Sequence, residues 1–532
     1  MTDFAWWQRG VVYQIYPRSF MDSNNDGIGD LQGIIDRLDY LNDGTENSLG
    51  VDAIWISPFY PSPMADFGYD VADYCDIDPM FGDLETFDRL VAEAHKRHIK
   101  IIVDFVPNHT SEQHKWFKES RQSTDNPKRD WYIWKDAKAD GSRPNNWGSM
   151  FGGTAWTWDE ATQQYYFHQF APEQPDLNWR NPDVRAAMHD VLRFWMNRGV
   201  DGFRMDVVYI IWKHPDMPDQ PLIEGATGRN TDDIFGQQEQ LYAFNYEGIH
   251  DIHGEIRDVL DEQGAIGIGE LWLDLQTRME YYRNFHMPFN FDFIGEWERY
   301  QWNADFFRSR VDAMEAALPD GAWSNYVLGN HDIQRLASRY GSDARARMAG
   351  MLLLTLRGTP TLYAGDEIGM VNGDISEEQI QDPQGKILGV AYTRDVTRTP
   401  MQWDDSDYAG FSTTETWLPI NADYTRRNVV AQSSDDTSIL ALYRRMMWYR
   451  KNHESLAVGT YQALDAPDNI FAFIRQYDDE RHLVILNFGE IAKTVSFEGT
   501  GTLIINTLLT RSEAVSDAVD VDSDEGIIIR LN

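Results

Sequence analysis

The chain has 532 residues, more than one simple core usually holds, and its 42% hydrophobic and 13% aromatic content excludes a disordered or low-complexity polymer. With 47 basic against 85 acidic residues the net charge is −38, a field that repels phosphate backbones and anionic lipid, so neither nucleic acid nor a membrane is an expected partner. Cys75 is the single cysteine, which excludes an intrachain disulfide and a thiolate metal cluster; with no basic-then-apolar leader, a cytoplasmic protein is expected.

From Val11 to Gly369, short runs of Val, Ile and aromatics alternate with longer segments of helical period, the pattern of βα units around a parallel sheet. In chain order the predicted strands are VVYQIYP from Val11, AIWISPF from Ala53, KIIVDFV from Lys100, VDGFRMDVV from Val200, AIGIGEL from Ala265, FNFDF from Phe289, WSNYVLG from Trp323 and TPTLYAG from Thr359. Eight such strands predict an α/β fold, a closed (β/α)8 TIM barrel. Among the helices, Asn181 to Gly199 carries Val184, Met188, Leu192 and Trp195 as one apolar stripe, with Pro182 and Gly199 as punctuation. Two stretches break the alternation. Pro107 to Pro175 is dense in Trp, Asn, Gly and Pro and predicts a subdomain inserted after strand three. After Leu456, NIFAFIR, HLVILNF, KTVSF, TLIIN and GIIIRLN predict a C-terminal antiparallel β-sandwich. The expected division is barrel over 1–106, insertion over 107–175, barrel again over 176–455 and the β-domain over 456–532. The acidity fits either a well-solvated enzyme or one made for a salty cytoplasm, as a monomer or a homodimer.

Active sites of such barrels lie at the carboxyl ends of the strands. Strand three runs into Asn108 and His109, strand four into Arg204 and Asp206, strand five into Glu270, and strand seven into Asn330, His331 and Asp332. Taken singly, each end is more often a loop hydrogen bond than a catalyst. Arg204 and Asp206, two apart on a strand, share a face, so the guanidinium would keep Asp206 ionised as a nucleophile. Glu270 follows IGIG with Leu271 and Trp272 beside it, a setting that would favour a protonated general acid. Cleavage of a glycosidic bond needs that asymmetry, and Asp332 would be a third carboxylate that binds sugar hydroxyls and helps distort the ring.

DFVPNHT from Asp104, QPDLNW from Gln174, GFRMDVVYI from Gly202, IGIGELW from Ile266, VLGNHD from Val327 and GTPTLYAGDEIGM from Gly358 together resemble the α-amylase superfamily of glycoside hydrolases, in its α-glucosidase and oligo-1,6-glucosidase branch, over nearly the whole chain. The resemblance implies an exo-acting retaining enzyme that hydrolyses short α-glucosides through a covalent glucosyl intermediate, with Asp206 as nucleophile, Glu270 as acid/base and Asp332 as transition-state stabiliser. It places Arg204, His109 and His331 on the glucose before the scissile bond, Asp66 and Tyr69 of DFGYDVADY on the same ring, and Arg398 of RTPMQW as a further pocket residue. Phe151 and Phe170 are aromatic-wall candidates for which plain packing is the alternative. Val207 resembles enzymes that accept α-1,6 bonds. The expected partner is a small oligosaccharide or α-glucoside, with no organic cofactor. A glucosyltransferase or a sucrose or trehalose isomerase would carry the same core motifs; non-catalytic transporter subunits of this family lack the full carboxylate set and carry a membrane span.

The segment DSNNDGIGD sets Asp22, Asn24, Asp26, the Ile28 carbonyl and Asp30 at alternate positions, the spacing of a hard-cation loop, and predicts one structural Ca²⁺ or Mg²⁺ site. Gly33 stands where an EF-hand would carry its bidentate Glu, and the alternative is an Asx-rich turn capping the following helix.

Overall fold

The computed structural model describes residues 4–294 and 300–532. In chain order its strands are β1 (Val12–Ile15), β2 (Ala53–Ile56), β3 (Lys100–Phe105), β4 (Trp134–Lys135), β5 (Trp156–Asp159), β6 (Gln164–Phe167), β7 (Gly202–Met205), β8 (Ile266–Gly269), β9 (Phe289–Asn290), β10 (Asn325–Val327) and β11 (Thr359–Tyr363). Then come β12 (Thr460–Leu464), β13 (Ile470–Tyr477), β14 (Glu480–Asn487), β15 (Lys493–Asn506), β16 (Glu513–Val521) and β17 (Gly526–Leu531). The eight expected barrel strands pair in parallel in the order β8-β7-β3-β2-β1-β11-β10-β9, a near-closed barrel. Helices cover their outer faces, which is why the strands read as unbroken apolar runs. The helix Pro182–Met196 buries Val184, Met188, Leu192 and Trp195, with Asn181 capping its start.

Between β3 and β7 lies a small antiparallel sheet, β4-β6-β5. Its aromatics Trp147, Trp156 and Phe167 cluster with Met217 and Ala243 of the chain that follows β7. Trp147 Nε1 donates to the Pro218 carbonyl at 2.7 Å, so each excursion closes the core of the other.

The C-terminal strands form one antiparallel sheet, β12-β13-β14-β17-β15-β16. KTVSF and TLIIN, read as two strands, are one strand, β15, with a bulge between Ser496 and Thr500. β12 and β16 went unread because polar residues such as Thr460, Gln462, Ser516, Asp517 and Asp520 break up their short apolar runs. Period-two alternation divides the sheet: Phe471, Phe473, Val484, Leu486 and Ile528 join the barrel core, while Ile470, Ile474, Leu483, Ile485, Ile527 and Ile529 join a core of the sheet's own with Val495, Val519 and Val521. The sheet is thus buried on both sides. No helix among the described residues is long and apolar enough to cross a membrane.

Arg450, on the helix Ile439–Lys451, fastens this unit to the barrel. Its guanidinium donates to the carbonyls of Leu354, Leu356, Gly358, Leu456 and Ala457, at 2.7 to 3.4 Å. Burial pulls its pKa down to about 10. Arg450→Met keeps the stem but strands those carbonyls, so stability falls by about 3 kcal/mol, read as a lower urea midpoint.

Candidate active site

β3, β7 and β8 are neighbours, and register puts Asp104 beside Arg204. Arg204 Nη1 donates to Asp104 Oδ1 and to Asp206 Oδ1, each at 2.6 Å, and Nη2 meets Glu270 Oε2 at 2.7 Å. One buried guanidinium therefore holds three buried carboxylates. Burial pushes Asp206 well above the ordinary carboxylate range; Arg204 opposes this, while Glu270 and Asp104 add to it. Burial likewise raises Asp104 to about 6 against Arg204. The apolar niche expected around Glu270 is instead a polar one, with the Arg204 guanidinium against its carboxylate. Glu270 also accepts from Trp272 Nε1 at 2.9 Å and from Val207 N at 3.1 Å. Trp272, read as apolar cover, acts as a donor. Val207 turns its N–H inward from a left-handed backbone, φ 36° and ψ 39°, an outlier for a β-branched residue.

His331 forms the adjoining wall. Its ring stacks on Tyr69 at 5.5 Å and on Tyr16 at 5.6 Å, its Nε2 meets Tyr69 Oη at 2.8 Å, and its Nδ1 meets Gln14 Nε2 at 2.7 Å. Asp332 accepts from Arg398 Nη2 at 2.9 Å and from Arg394 Nη1 at 3.3 Å. Burial works to raise Asp332, but His331, Arg394 and Arg398 outweigh it and hold the carboxyl well below its usual range. Arg394 Nη2 reaches Asp66 Oδ1 at 2.8 Å and Asp382 Oδ1 at 2.6 Å, tying Asp66 and Asp332 together. Asp66 also accepts from Gln174 Nε2 at 3.1 Å, beside His109.

A cavity of about 1080 Å³ collects these groups: Asp66, Tyr69, His109, Phe151, Phe170, Arg204, Asp206, Val207, Glu270, His331 and Asp332 all line it. Arg398 does not; it stands behind Asp332 and donates Nε to the His331 carbonyl at 3.0 Å. Phe170 packs on His109 at 5.1 Å and on Phe151 at 5.4 Å, and Arg394 lies over the Phe151 ring at 5.0 Å, so both phenylalanines are wall and packing at once. Asp104, Arg394 and Asp382 were not singled out from sequence. Asp104 opens the DFVPNHT motif and Arg394 precedes Arg398 by four residues, yet only the assembled wall distinguishes them from surface charge.

The DSNNDGIGD loop lies apart from this cavity. Asp22 accepts from the backbone N–H of Asn24, Asn25 and Gly27 and from Ser412 Oγ; Asp30 accepts from Ser23 and from Gly33 N, capping the helix Leu31–Asp36. A Cβ on Gly33 would meet the Met21 carbonyl at 2.0 Å, which excludes the EF-hand Glu there. The donors are hard oxygens and fit a divalent cation in type. Among the described residues no three His, Cys, Asp or Glu side chains are grouped to hold one.

Burial pushes His331 down to about 3 and His109 down to about 4, from 6.5. Below pH 6.5 the unfolded chain takes up protons at these two positions while the folded chain does not until about pH 3 to 4, so their effect is a loss of stability as pH falls through that window. His331→Asn removes one such uptake, and its thermal midpoint drops less than that of the parent between about pH 7 and about pH 5.

The family model of the alpha amylase catalytic domain matches residues 14–459. An oligo-1,6-glucosidase of Heyndrickxia coagulans is 41% identical over 534 aligned positions, covering 93% of each chain. Among solved structures, the alpha-glucosyl transfer enzyme XgtA superposes with a TM-score of 0.90 at 36% identity, and the isomaltulose synthase SmuA from Protaminobacter rubrum with 0.89 at 35%, each covering 100% of both chains. With the eight parallel strands and the three acidic residues at the mouths of β7, β8 and β10 already placed, the chain belongs to the α-amylase family of glycoside hydrolases.

Proposed function

We propose that this glycoside hydrolase is an exo-acting, retaining α-glucosidase that removes single glucose units from short α-glucosides. The observation that carries the reading is the guanidinium of Arg204 joining Asp206 and Glu270 at one cavity wall. A retaining double displacement needs two carboxyl groups roughly 5 Å apart across one sugar ring. Asp206 attacks the anomeric carbon and Glu270 gives its proton to the departing oxygen; Glu270 then takes a proton from water, which displaces glucose from Asp206. The positive charge that develops on the ring favours ionised Asp206, so the proton is Glu270's when the bond breaks. Asp332, negative under its two arginines, grips sugar hydroxyls with His109, His331, Asp66 and Tyr69. The Asp66–Arg394–Asp332 tie supports exo action, because the terminal glucose meets a wall and not an open cleft.

A specific observation favours transfer to a second sugar beside hydrolysis: Met150, Phe151, Phe235, Phe244, Trp272 and Tyr392 line the cavity together with Arg229, Asp233 and Gln384, a surface on which a sugar ring can stack and compete with water. The names of XgtA and SmuA lie in that direction. We also propose, on donor type and spacing, a structural Ca²⁺ or Mg²⁺ held by Asp22, Asn24, Asp26, the Ile28 carbonyl and Asp30, and a cytoplasmic location.

Asp206→Asn and Glu270→Gln each lower kcat on isomaltose by about a thousandfold or more with the fold unchanged by circular dichroism; near-parent turnover in either overturns the assignment. Isomaltose is turned over with a higher kcat/KM than maltose, and a strong maltose preference defeats the α-1,6 reading of Val207. Concentrated maltose yields trisaccharide alongside glucose. A chelator lowers the thermal midpoint, and an unchanged midpoint removes the cation from the proposal.

A further inference from the structure

Lys213 lies on the chain after β7 and is buried, 5% exposed, outside the reacting groups. Its ammonium has three N–H donors and meets three acceptors: Asp176 Oδ2 at 2.6 Å, the Ile210 carbonyl at 2.6 Å and Asn108 Oδ1 at 2.9 Å. An ammonium carries no acceptor, so the Asn108 amide must show it oxygen. The other end of that amide, Nδ2, then faces His109 Nδ1 at 3.1 Å and donates. A ring nitrogen that accepts is bare, which leaves the proton of the neutral imidazole on Nε2.

At the far end of the ring the Tyr69 carbonyl takes the proton so placed. His109 Nε2 lies 3.2 Å from the carbonyl of Tyr69, which can only accept. The Gln174 amide nitrogen, 3.0 Å from Nε2, is itself held as a donor, because Gln174 Oε1 accepts from Ala171 N and Nε2 donates to Asp66. Nε2 thus faces one acceptor, the Tyr69 carbonyl, and one further donor, the Gln174 amide; with Nδ1 already taken by the Asn108 N–H, the ring proton sits on Nε2 and goes to the Tyr69 carbonyl. His109 is buried and lines the cavity, so the bonds its two nitrogens make set the orientation in which the ring meets the cavity.

We propose that Lys213 is a positioning residue that fixes the tautomer of His109 through the Asn108 amide, with the proton on Nε2 and directed to the Tyr69 carbonyl, which holds the ring at the cavity wall. Any effect on the substrate rests on the reading of His109 as a glucose-binding residue; the tautomer does not.

The test is a long-range ¹H–¹⁵N spectrum of the full chain labelled at histidine ring nitrogens, with the His109 signals identified by their loss in His109→Gln. In the parent, Nδ1 is bare and Nε2 protonated. Asn108→Asp keeps the acceptor for Lys213 and removes the donor to Nδ1, and it moves the proton to Nδ1. Lys213→Met releases the amide to rotate and gives a mixture of tautomers; should loss of the Asp176 partner unfold it, Asn108→Asp, nearly isosteric, carries the test. In Asn108→Asp the KM for isomaltose rises about tenfold while kcat changes less. A parent His109 protonated at Nδ1, or an Asn108→Asp variant that keeps its proton on Nε2, overturns the proposal. A tautomer that moves with KM unchanged upholds Lys213 as the positioning residue and refutes His109 as a glucose ligand.

Discussion

The site depends on one buried cation. Arg204 puts two nitrogens against Asp104, Asp206 and Glu270, three acids that could not lie side by side in a dry barrel mouth without it. The geometry follows from strand order: β3, β7 and β8 are adjacent, Asp104 is the register partner of Arg204, and Asp206 and Glu270 each stand one residue beyond a strand end. One positive charge for three carboxyls leaves the cluster short of compensation, and burial holds Asp104 and Asp206 toward their neutral forms. That stored imbalance suits a site whose reaction generates positive charge on a sugar ring.

Around this cluster the barrel supplies the polar wall and its excursions supply the rest. Arg394 and Asp382 come from the chain after β11, and Arg394 spans Asp66 and Asp332, which belong to different loops. The segment after β3 and the segment after β7 share one aromatic core and carry Met150, Phe151 and Phe235 to the cavity. The charged wall and the aromatic part of the lining are thereby separated in structure. The first is tied to rigid strand ends, the second to loops that can vary without disturbing the barrel.

A donor-only and an acceptor-only group at opposite ends of a hydrogen-bonded chain give that chain a direction. Lys213 and the Tyr69 carbonyl do this for Asn108 and His109. The two proline-bounded stretches of the DFVPNHT and QPDLNW segments meet at the bridge between His109 and Asp176, so the insertion also holds the partner that anchors Lys213.

Much of this molecule was legible in the linear chain because it depends on short-range regularities. Apolar runs of strand length marked all eight barrel strands, the stripe of Val184, Met188, Leu192 and Trp195 marked a helix, and charge at the strand ends singled out Arg204, Asp206, Glu270, His331 and Asp332. Tertiary structure alone decided the rest. Trp272 became a donor to Glu270, Arg398 withdrew behind Asp332, and Arg394 and Asp382 joined the wall. It also set the charge balance, since whether Glu270 stands among apolar side chains or against a guanidinium depends on which strand lies next to its own. Local pattern fixes what an element is and which way a residue points; the partner of a buried charge is chosen by neighbours far away in sequence, and that partner determines its protonation and hence its chemistry.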